Sequence, residues 1–104
     1  MIMVTIRMKV LTDKRRELSQ TIASLIGSIR TETGCRRCDF LQSMENENER
    51  SLLAEWDTRK NFMRYLHSKN FSVLRGAKSL LQEPYEMMYH TVIKPVEMEG
   101  VSKG

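Results

Sequence analysis

The hydrophobic residues of this chain switch between two spacings, and the order of the switches constrains the fold more than any other feature of the sequence. Over residues 2–10 every second residue is apolar, which indicates a strand with one buried face. Thr12 and Asp13 then provide helix caps, and apolar residues recur every three or four positions until Gly34. This spacing predicts a helix over residues 14–33.

The rest of the chain repeats these strand and helix patterns. Residues 38–44 and 51–56 flank the polar run ENENER, which predicts a hairpin. Residues 58–81 carry a helical stripe with a break near Ser68, and residues 85–93 alternate again. The order strand, helix, strand, strand, helix, strand predicts an α+β, ferredoxin-like fold. In that fold two helices cover one face of a four-stranded antiparallel sheet.

The composition is that of a small globular protein. Its 104 residues, 40% of them hydrophobic, suffice for one core, and we expect a domain over 1–95 and a poorly ordered tail over 96–104. Arg7 and Lys9 interrupt the N-terminal apolar stretch, and no later run is long enough to cross a membrane. A cytoplasmic protein without a membrane partner is therefore expected.

Charge and hydrophobicity together suggest which macromolecule this protein binds. The formal net charge is +4, but the basic residues are spread along the chain among thirteen acids, so no nucleic-acid partner is expected. The last predicted strand is apolar on both faces, with Tyr85, Met87 and Tyr89 on one side and Met88 and Val92 on the other. The sheet face away from the helices then needs a cover, and we expect a homodimer.

Cys35 and Cys38 form a Cys-x-x-Cys pair that follows the first predicted helix. In a regular strand a three-residue offset points two side chains to opposite faces, with Cα atoms about 10 Å apart, too far for a disulfide. A helix C-terminus also disfavours a thiolate, and two cysteines alone do not complete a zinc site. We therefore expect two reduced thiols and a tolerated Cys38→Ser substitution.

Three short motifs make the chain similar to the antibiotic biosynthesis monooxygenase domain family. They are an acid-x-Gly-Cys turn after the first helix, a Glu-Trp pair at the end of the third strand, and a small residue and an aromatic in the second helix. The matching residues are Glu32, Gly34 and Cys35, then Glu55 and Trp56, then Ser68 and Phe71. The resemblance extends over about residues 4–93.

The resemblance implies a dimeric α+β barrel with a ligand cavity between each sheet and its own helices. Activities in this family include oxidation of phenols and quinols by molecular oxygen without a cofactor, haem degradation, isomerisation, and ligand binding without catalysis. Haem degradation is disfavoured, because haem-degrading relatives carry an asparagine on the first strand, where this chain has the sequence VTIR. No cofactor and no metal are expected.

The resemblance also indicates candidate site residues. Tyr65 and Asn70 stand nine and fourteen residues after Trp56, where relatives commonly have histidines, and His67 lies nearby. We predict that these three act on the substrate. The residues predicted to bind its ring are Trp56, Phe40, Phe62 and Phe71. The favoured function is oxygenation of a small quinol or phenol without a cofactor, and the alternative is a non-catalytic dimer that binds a small ligand or regulates.

Overall fold

The structure of the protein is a computed structural model that describes residues 1–93. The strands are β1 (Ile2–Lys9), β2 (Cys35–Gln42), β3 (Glu49–Trp56) and β4 (Glu86–Thr91), and the helices are α1 (Arg15–Arg30), α2 (Arg59–Leu66) and α3 (Lys69–Gly76). Short 3-10 segments, Thr12–Lys14 and Ala77–Leu80, precede α1 and follow α3. The tail predicted over 96–104 lies outside the described residues.

The four strands form one antiparallel sheet in the order β2-β3-β1-β4. The helices lie against one face of it, so the predicted α+β, ferredoxin-like fold is confirmed. The break in the second helical region is also as predicted, since α2 ends at Leu66 and Ser68 caps α3, its hydroxyl accepting a hydrogen bond from the Phe71 backbone N–H. Among residues 1–93 no helix is long and apolar enough to cross a bilayer.

Alternation along the strands places one apolar set of side chains under the helices. Every second residue of β1 and β3 is buried there, and the helices add a matching stripe at three- and four-residue spacing. The largest fully buried side chains of this core are Trp56, Tyr65, Phe62, Ile6, Leu18, Ile22, Ile29, Leu52 and Val4.

The opposite face of the sheet is not covered by any described element, and it mixes apolar and charged side chains. One cross-strand row runs Met88, Thr5, Leu53 and Asp39 from β4 to β2. Leu41 and Met88 on this face are 48% and 45% exposed. We refer to this surface as the open sheet face.

The end of α1 and the start of β2 differ most from the prediction. The first helix ends at Arg30, three residues before the predicted end, because the chain tightens into a turn in which the Thr31 N–H bonds to the Ser28 carbonyl. Strand β2 starts at Cys35 and ends at Gln42, so Met44 lies fully exposed in the hairpin turn. The predicted period was correct at β2, and its starting point was three residues late.

Candidate functional site

The aromatic side chains that the sequence analysis singled out meet where β3 ends under α2. Trp56, the last residue of β3, is completely buried and stacks on Tyr65 with ring centroids 4.8 Å apart and planes inclined by 27°. The Phe71 ring meets Tyr65 edge-on at 5.4 Å. Offset and edge-on contacts of this kind are the favourable arrangements of aromatic pairs. Three of the predicted residues thus form one cluster.

The indole N–H of Trp56 has no hydrogen-bond acceptor among the described residues. A buried polar group without a partner costs about 1–3 kcal/mol, so native structures rarely retain one without a reason. It is the one buried side-chain donor or acceptor in residues 1–93 that lacks a partner. The Trp56 N–H is therefore a candidate donor to an oxygen atom of another molecule.

Burial raises the pKa of the Tyr65 phenol, and nearby Cys38 and Glu32 raise it further. The phenol consequently stays protonated at neutral pH, where it can donate or accept a hydrogen bond but cannot serve as a base. Tyr65 is 2% exposed, so its ring is held firmly within the cluster.

Asn70 connects this cluster to a carboxylate that the sequence analysis did not choose as a site residue. The Asn70 side-chain N–H donates to Glu32 Oε2 at 2.8 Å, which ties the start of α3 to the turn after α1. One Asn70 donor holds one Glu32 oxygen, so the second oxygen is free to accept a proton or a hydrogen bond. The acid in the acid-x-Gly-Cys motif was the signal that pointed to Glu32.

Gly34 fixes the turn that carries Glu32 and Cys35. Its φ of 86° lies in the left-handed region, and its carbonyl accepts a hydrogen bond of 2.8 Å from the Asp57 N–H just beyond Trp56. A Cβ atom at this position would overlap the side chains of Asp57 and Asn61. Glycine is needed here for both its conformation and its small size.

The two cysteines do not lie on opposite faces, which corrects the prediction. A β-bulge between Cys35 and Arg37 pairs Cys35 with Trp56 and Cys38 with Ala54, so both point toward the helices. Both thiols are free, as expected, although the argument from opposite faces was wrong. Burial raises the pKa of Cys38 to about 12. Its 1% exposure makes Cys38→Ser less tolerable than expected.

The remaining predicted residues lie around this cluster at different depths. Phe62 is buried and contacts Tyr89 of β4 with centroids 5.2 Å apart. Phe40 is half-buried on β2, opposite Leu52. His67 is exposed at the end of α2, where its Nδ1 lies 2.9 Å from the Met63 carbonyl oxygen. The structure therefore brings Trp56, Tyr65 and Phe71 together, joins the adjoining Asn70 to Glu32, and places His67 outside them.

A surface hollow of about 600 Å³ opens beside this cluster. The described residues that line it are Lys78, Leu81, Glu83, Pro84 and Tyr85. None of the predicted site residues is in this lining. Tyr85 and Leu81 connect the two regions, because both line the hollow and pack against the buried core. Within the described part of the chain, no group of three or more histidine, cysteine or acidic side chains is arranged to bind a metal.

Known structures share this architecture at low sequence identity. A protein from Nitrosomonas europaea, named for antibiotic biosynthesis monooxygenases, is 20% identical and matches 90% of this chain and 100% of its own with a TM-score of 0.84. A conserved protein from Methanosarcina mazei is 23% identical, with 86% and 89% covered and a TM-score of 0.82.

A third related structure carries a functional name. SnoaB from Streptomyces nogalater, described as a cofactor-independent oxygenase, is 17% identical, covers 91% of this chain and 95% of its own, and has a TM-score of 0.78. No curated protein matches the sequence. The model of the antibiotic biosynthesis monooxygenase family matches residues 1–76, which is most of the described domain. The chain belongs to the antibiotic biosynthesis monooxygenase family.

Proposed function

We propose that the protein is a monooxygenase that oxidises a small quinol or phenol with molecular oxygen and without a cofactor. The substrate would bind where Trp56, Tyr65 and Asn70 meet, between the sheet and the helices. Family membership and the SnoaB-like fold support the reaction class. The observation that carries the choice of site is the buried Trp56 N–H without an acceptor, because a phenol oxygen supplies what it lacks.

The proposed reaction requires only a water-excluded site with a few polar groups. A quinol that loses a proton becomes an electron-rich anion that can react directly with O2. One oxygen atom enters the product and the other leaves as water, so quinol plus O2 gives hydroxyquinone plus water without an external reductant. Hydrogen bonds directed at the oxygen anion are worth more in a water-excluded site than in solution.

Each group of the cluster has a definite part in this proposal. The Trp56 N–H stabilises the phenolate oxygen, and the protonated Tyr65 hydroxyl supplies a second hydrogen bond. Asn70 holds the Glu32 carboxylate, which accepts the substrate proton. A phenol has a pKa near 10 and a carboxylic acid a pKa near 4, so this transfer requires that the hydrogen bonds from Trp56 and Tyr65 lower the pKa of the bound substrate.

Access is proposed through the hollow beside β4. Trp56, Phe62 and Tyr65 are closely packed, so the substrate must displace side chains to reach the indole. Tyr85 lines the hollow and packs against the buried core, which makes it the side chain to move. The apolar Leu81 and Pro84 in the same lining suit a flat aromatic ring.

A second copy of the chain is proposed to cover the open sheet face. Leu41 and Met88 lie exposed on it, and Leu53 is half-buried between them. Apolar side chains exposed among charged ones favour a partner layer that buries them, and a stable dimer would bury more than about 1,500 Å². Light scattering at micromolar concentration should report twice the chain mass. A monodisperse monomer would contradict the dimer proposal.

Oxygen consumption tests the proposed reaction. A panel of quinols and phenols should drive O2 uptake that persists with a chelator and without added flavin. Trp56→Phe and Asn70→Ala should each reduce the rate at least tenfold, equivalent to about 1.4 kcal/mol. Ser72→Ala, on the exposed side of the same helix as Asn70, serves as the control and should keep the rate.

Two other results would redirect the proposal. If the panel gives no uptake above the control without protein, while the same compounds raise the melting temperature, the protein is a ligand-binding member of the family. The tyrosine and asparagine in place of the family histidines favour that alternative. If His67→Ala abolishes uptake and Asn70→Ala does not, the proton acceptor lies at the exposed end of α2 and not at Glu32.

A further inference from the structure

The segment 58–82, which contains α2, α3 and the following 3-10 segment, carries six lysines and arginines and no aspartate or glutamate. Asp57 precedes it and Glu83 follows it. The six cations are Arg59, Lys60, Arg64, Lys69, Arg75 and Lys78. Over the whole chain, thirteen acids conceal this local asymmetry. The positive charge therefore collects on one part of the helical layer.

All six cations are exposed, and none forms an ion pair with a described residue. Elsewhere, Arg7, Lys9, Lys14, Arg15, Arg30 and Arg37 do form such pairs. Two apolar side chains, Met63 of α2 and Val73 of α3, are each 41% exposed among these cations. Arg75 lies over the ring of Phe71 at 5.5 Å and keeps its charge toward solvent.

We infer that this part of the helical layer is a docking surface for an anionic lipid bilayer. We define the basic helical surface as these six cations with Met63 and Val73. Clusters of four to eight basic residues are attracted to anionic headgroups, and adjacent apolar side chains can enter the headgroup region. The core-facing side chains Phe62, Phe71 and Leu74 stay in the protein, so the domain binds peripherally.

The same features fit a nucleic acid less well. Nucleic-acid surfaces combine basic residues with exposed aromatic rings or with a helix that reaches into a groove. Over 58–82 the aromatic residues Phe62, Tyr65 and Phe71 are all buried, and the two helices have eight residues each. The exposed apolar residues are the flexible Met63 and the small Val73. Exposed basic residues with small or flexible apolar side chains among them match what an anionic lipid surface binds.

Vesicle sedimentation with the full chain tests the inference. Vesicles of equal parts phosphatidylglycerol and phosphatidylcholine should bind the protein at about 0.1 M salt and release it near 1 M, where the screening length falls to about 3 Å. Vesicles of phosphatidylcholine alone should bind it far less. This experiment needs no substrate, so its outcome is independent of the proposed oxygenase activity.

A pair of matched variants locates the contact. Lys60→Gln with Arg64→Gln removes two charges from the basic helical surface, and Arg16→Gln with Arg36→Gln removes two exposed, unpaired charges elsewhere among the described residues. Each basic residue near an anionic surface contributes about fivefold in affinity, so the first pair should weaken binding about thirtyfold. The second pair should stay within about threefold of the wild type.

The results that overturn the inference are distinct. The first is that no more protein sediments with the mixed vesicles than with phosphatidylcholine alone. The second is that both double variants lose the same affinity for the mixed vesicles, which would show a general charge effect. Binding to a DNA duplex without binding to the mixed vesicles would identify a nucleic-acid partner instead. Should the first pair lower the melting temperature, Arg59→Gln with Lys69→Gln removes two other exposed charges of the same surface and takes its place.

Discussion

Strand β3 has a buried side chain with an N–H donor near each end, and only one of the two donors has a hydrogen-bond acceptor among the described residues. Arg50, at the hairpin end, is 5% exposed, and its guanidinium donates to the backbone carbonyl of Glu47 in the turn before β3. Trp56, at the other end, is fully buried and its N–H has no acceptor. The protein satisfies the donor that holds its hairpin and leaves the other unsatisfied. A donor that is satisfied internally serves the fold, and one left open indicates a site.

The environments of the two ends agree with this difference. At the hairpin end Arg15 donates to Asn48 at 2.7 Å and pairs with Glu47 at 3.1 Å, while burial and the Arg15 charge lower the pKa of Arg50. The polar network there is closed. At the Trp56 end, the indole N–H has no described acceptor, and Glu32 has one oxygen bound by Asn70 and one free to accept another hydrogen bond. If the comparison is right, substitutions at the two ends should separate stability from ligand binding.

The largest expected effect is at the hairpin end. Arg50→Ala removes a long buried side chain and leaves the Glu47 carbonyl without its partner, so the free energy of unfolding should fall by about 3 kcal/mol. Urea denaturation measures the loss. Affinity for a phenol should stay at the wild-type value wherever the variant is folded. A marked loss of phenol affinity in the folded variant would erase the distinction between the two ends.

Gly34→Ala should cause the next largest loss of stability, because it strains the turn beneath the Trp56 cluster. The left-handed φ costs an alanine about 1–2 kcal/mol, and the overlap with Asp57 and Asn61 adds to it, so a loss of about 2 kcal/mol or more is expected. Gly27→Ala is the matched control, because that position on α1 has open space for a Cβ and should gain slight stability. Equal melting temperatures for the two variants would refute the role assigned to Gly34.

Trp56→Phe should weaken phenol binding and leave stability nearly unchanged, which is the reverse of the effect of Arg50→Ala. The substitution removes an unsatisfied donor, which should raise stability, and leaves a small cavity, which should lower it. The free energy of unfolding should therefore change by no more than about 1 kcal/mol. Phenol affinity should fall about tenfold, equivalent to about 1.4 kcal/mol, because the new hydrogen bond is lost. Calorimetric titration measures this loss. Unchanged affinity in Trp56→Phe would remove the indole from the binding site.

A smaller effect concerns pH and the buried thiol beside this cluster. The folded protein holds the Cys38 pKa at about 12 against an ordinary value of 9.0, so the unfolded chain ionises first as the pH rises. The thiol's contribution is fully present below pH 9, is lost as the pH rises from 9 toward 12, and should have declined by about 1 kcal/mol at pH 10. Cys38→Ala should flatten this decline in urea titrations. An equally steep decline in Cys38→Ala would assign it to other groups.

The sequence predicted the fold well because alternation and helical spacing report directly on burial. It missed the bulge between Cys35 and Arg37, since one extra residue in a strand leaves the apolar pattern nearly intact while it turns a side chain to the other face. It also missed the Glu32–Asn70 contact, which joins residues 38 positions apart. Such contacts depend on how α1 and α3 pack, and local periodicity carries no information about that packing.

The arrangement of the predicted site residues followed from the sequence only in part. Trp56 and Tyr65, chosen from their spacing, stack on each other, whereas His67 is two residues from Tyr65 and is exposed. A shift of two positions on a helix changes the face by about 200°, so neighbours in sequence can differ completely in burial. That Trp56 would be left without an acceptor is a property of the folded interior alone.

The most direct test of the central claim follows the single indole N–H of the protein, because Trp56 is its one tryptophan. In a proton–nitrogen correlation spectrum of labelled protein, this group gives one signal that reports whether the hydrogen bond forms. Titration with a redox-stable phenol should move the signal downfield and slow its exchange with solvent. Saturable phenol binding with an unmoved indole signal would contradict the account.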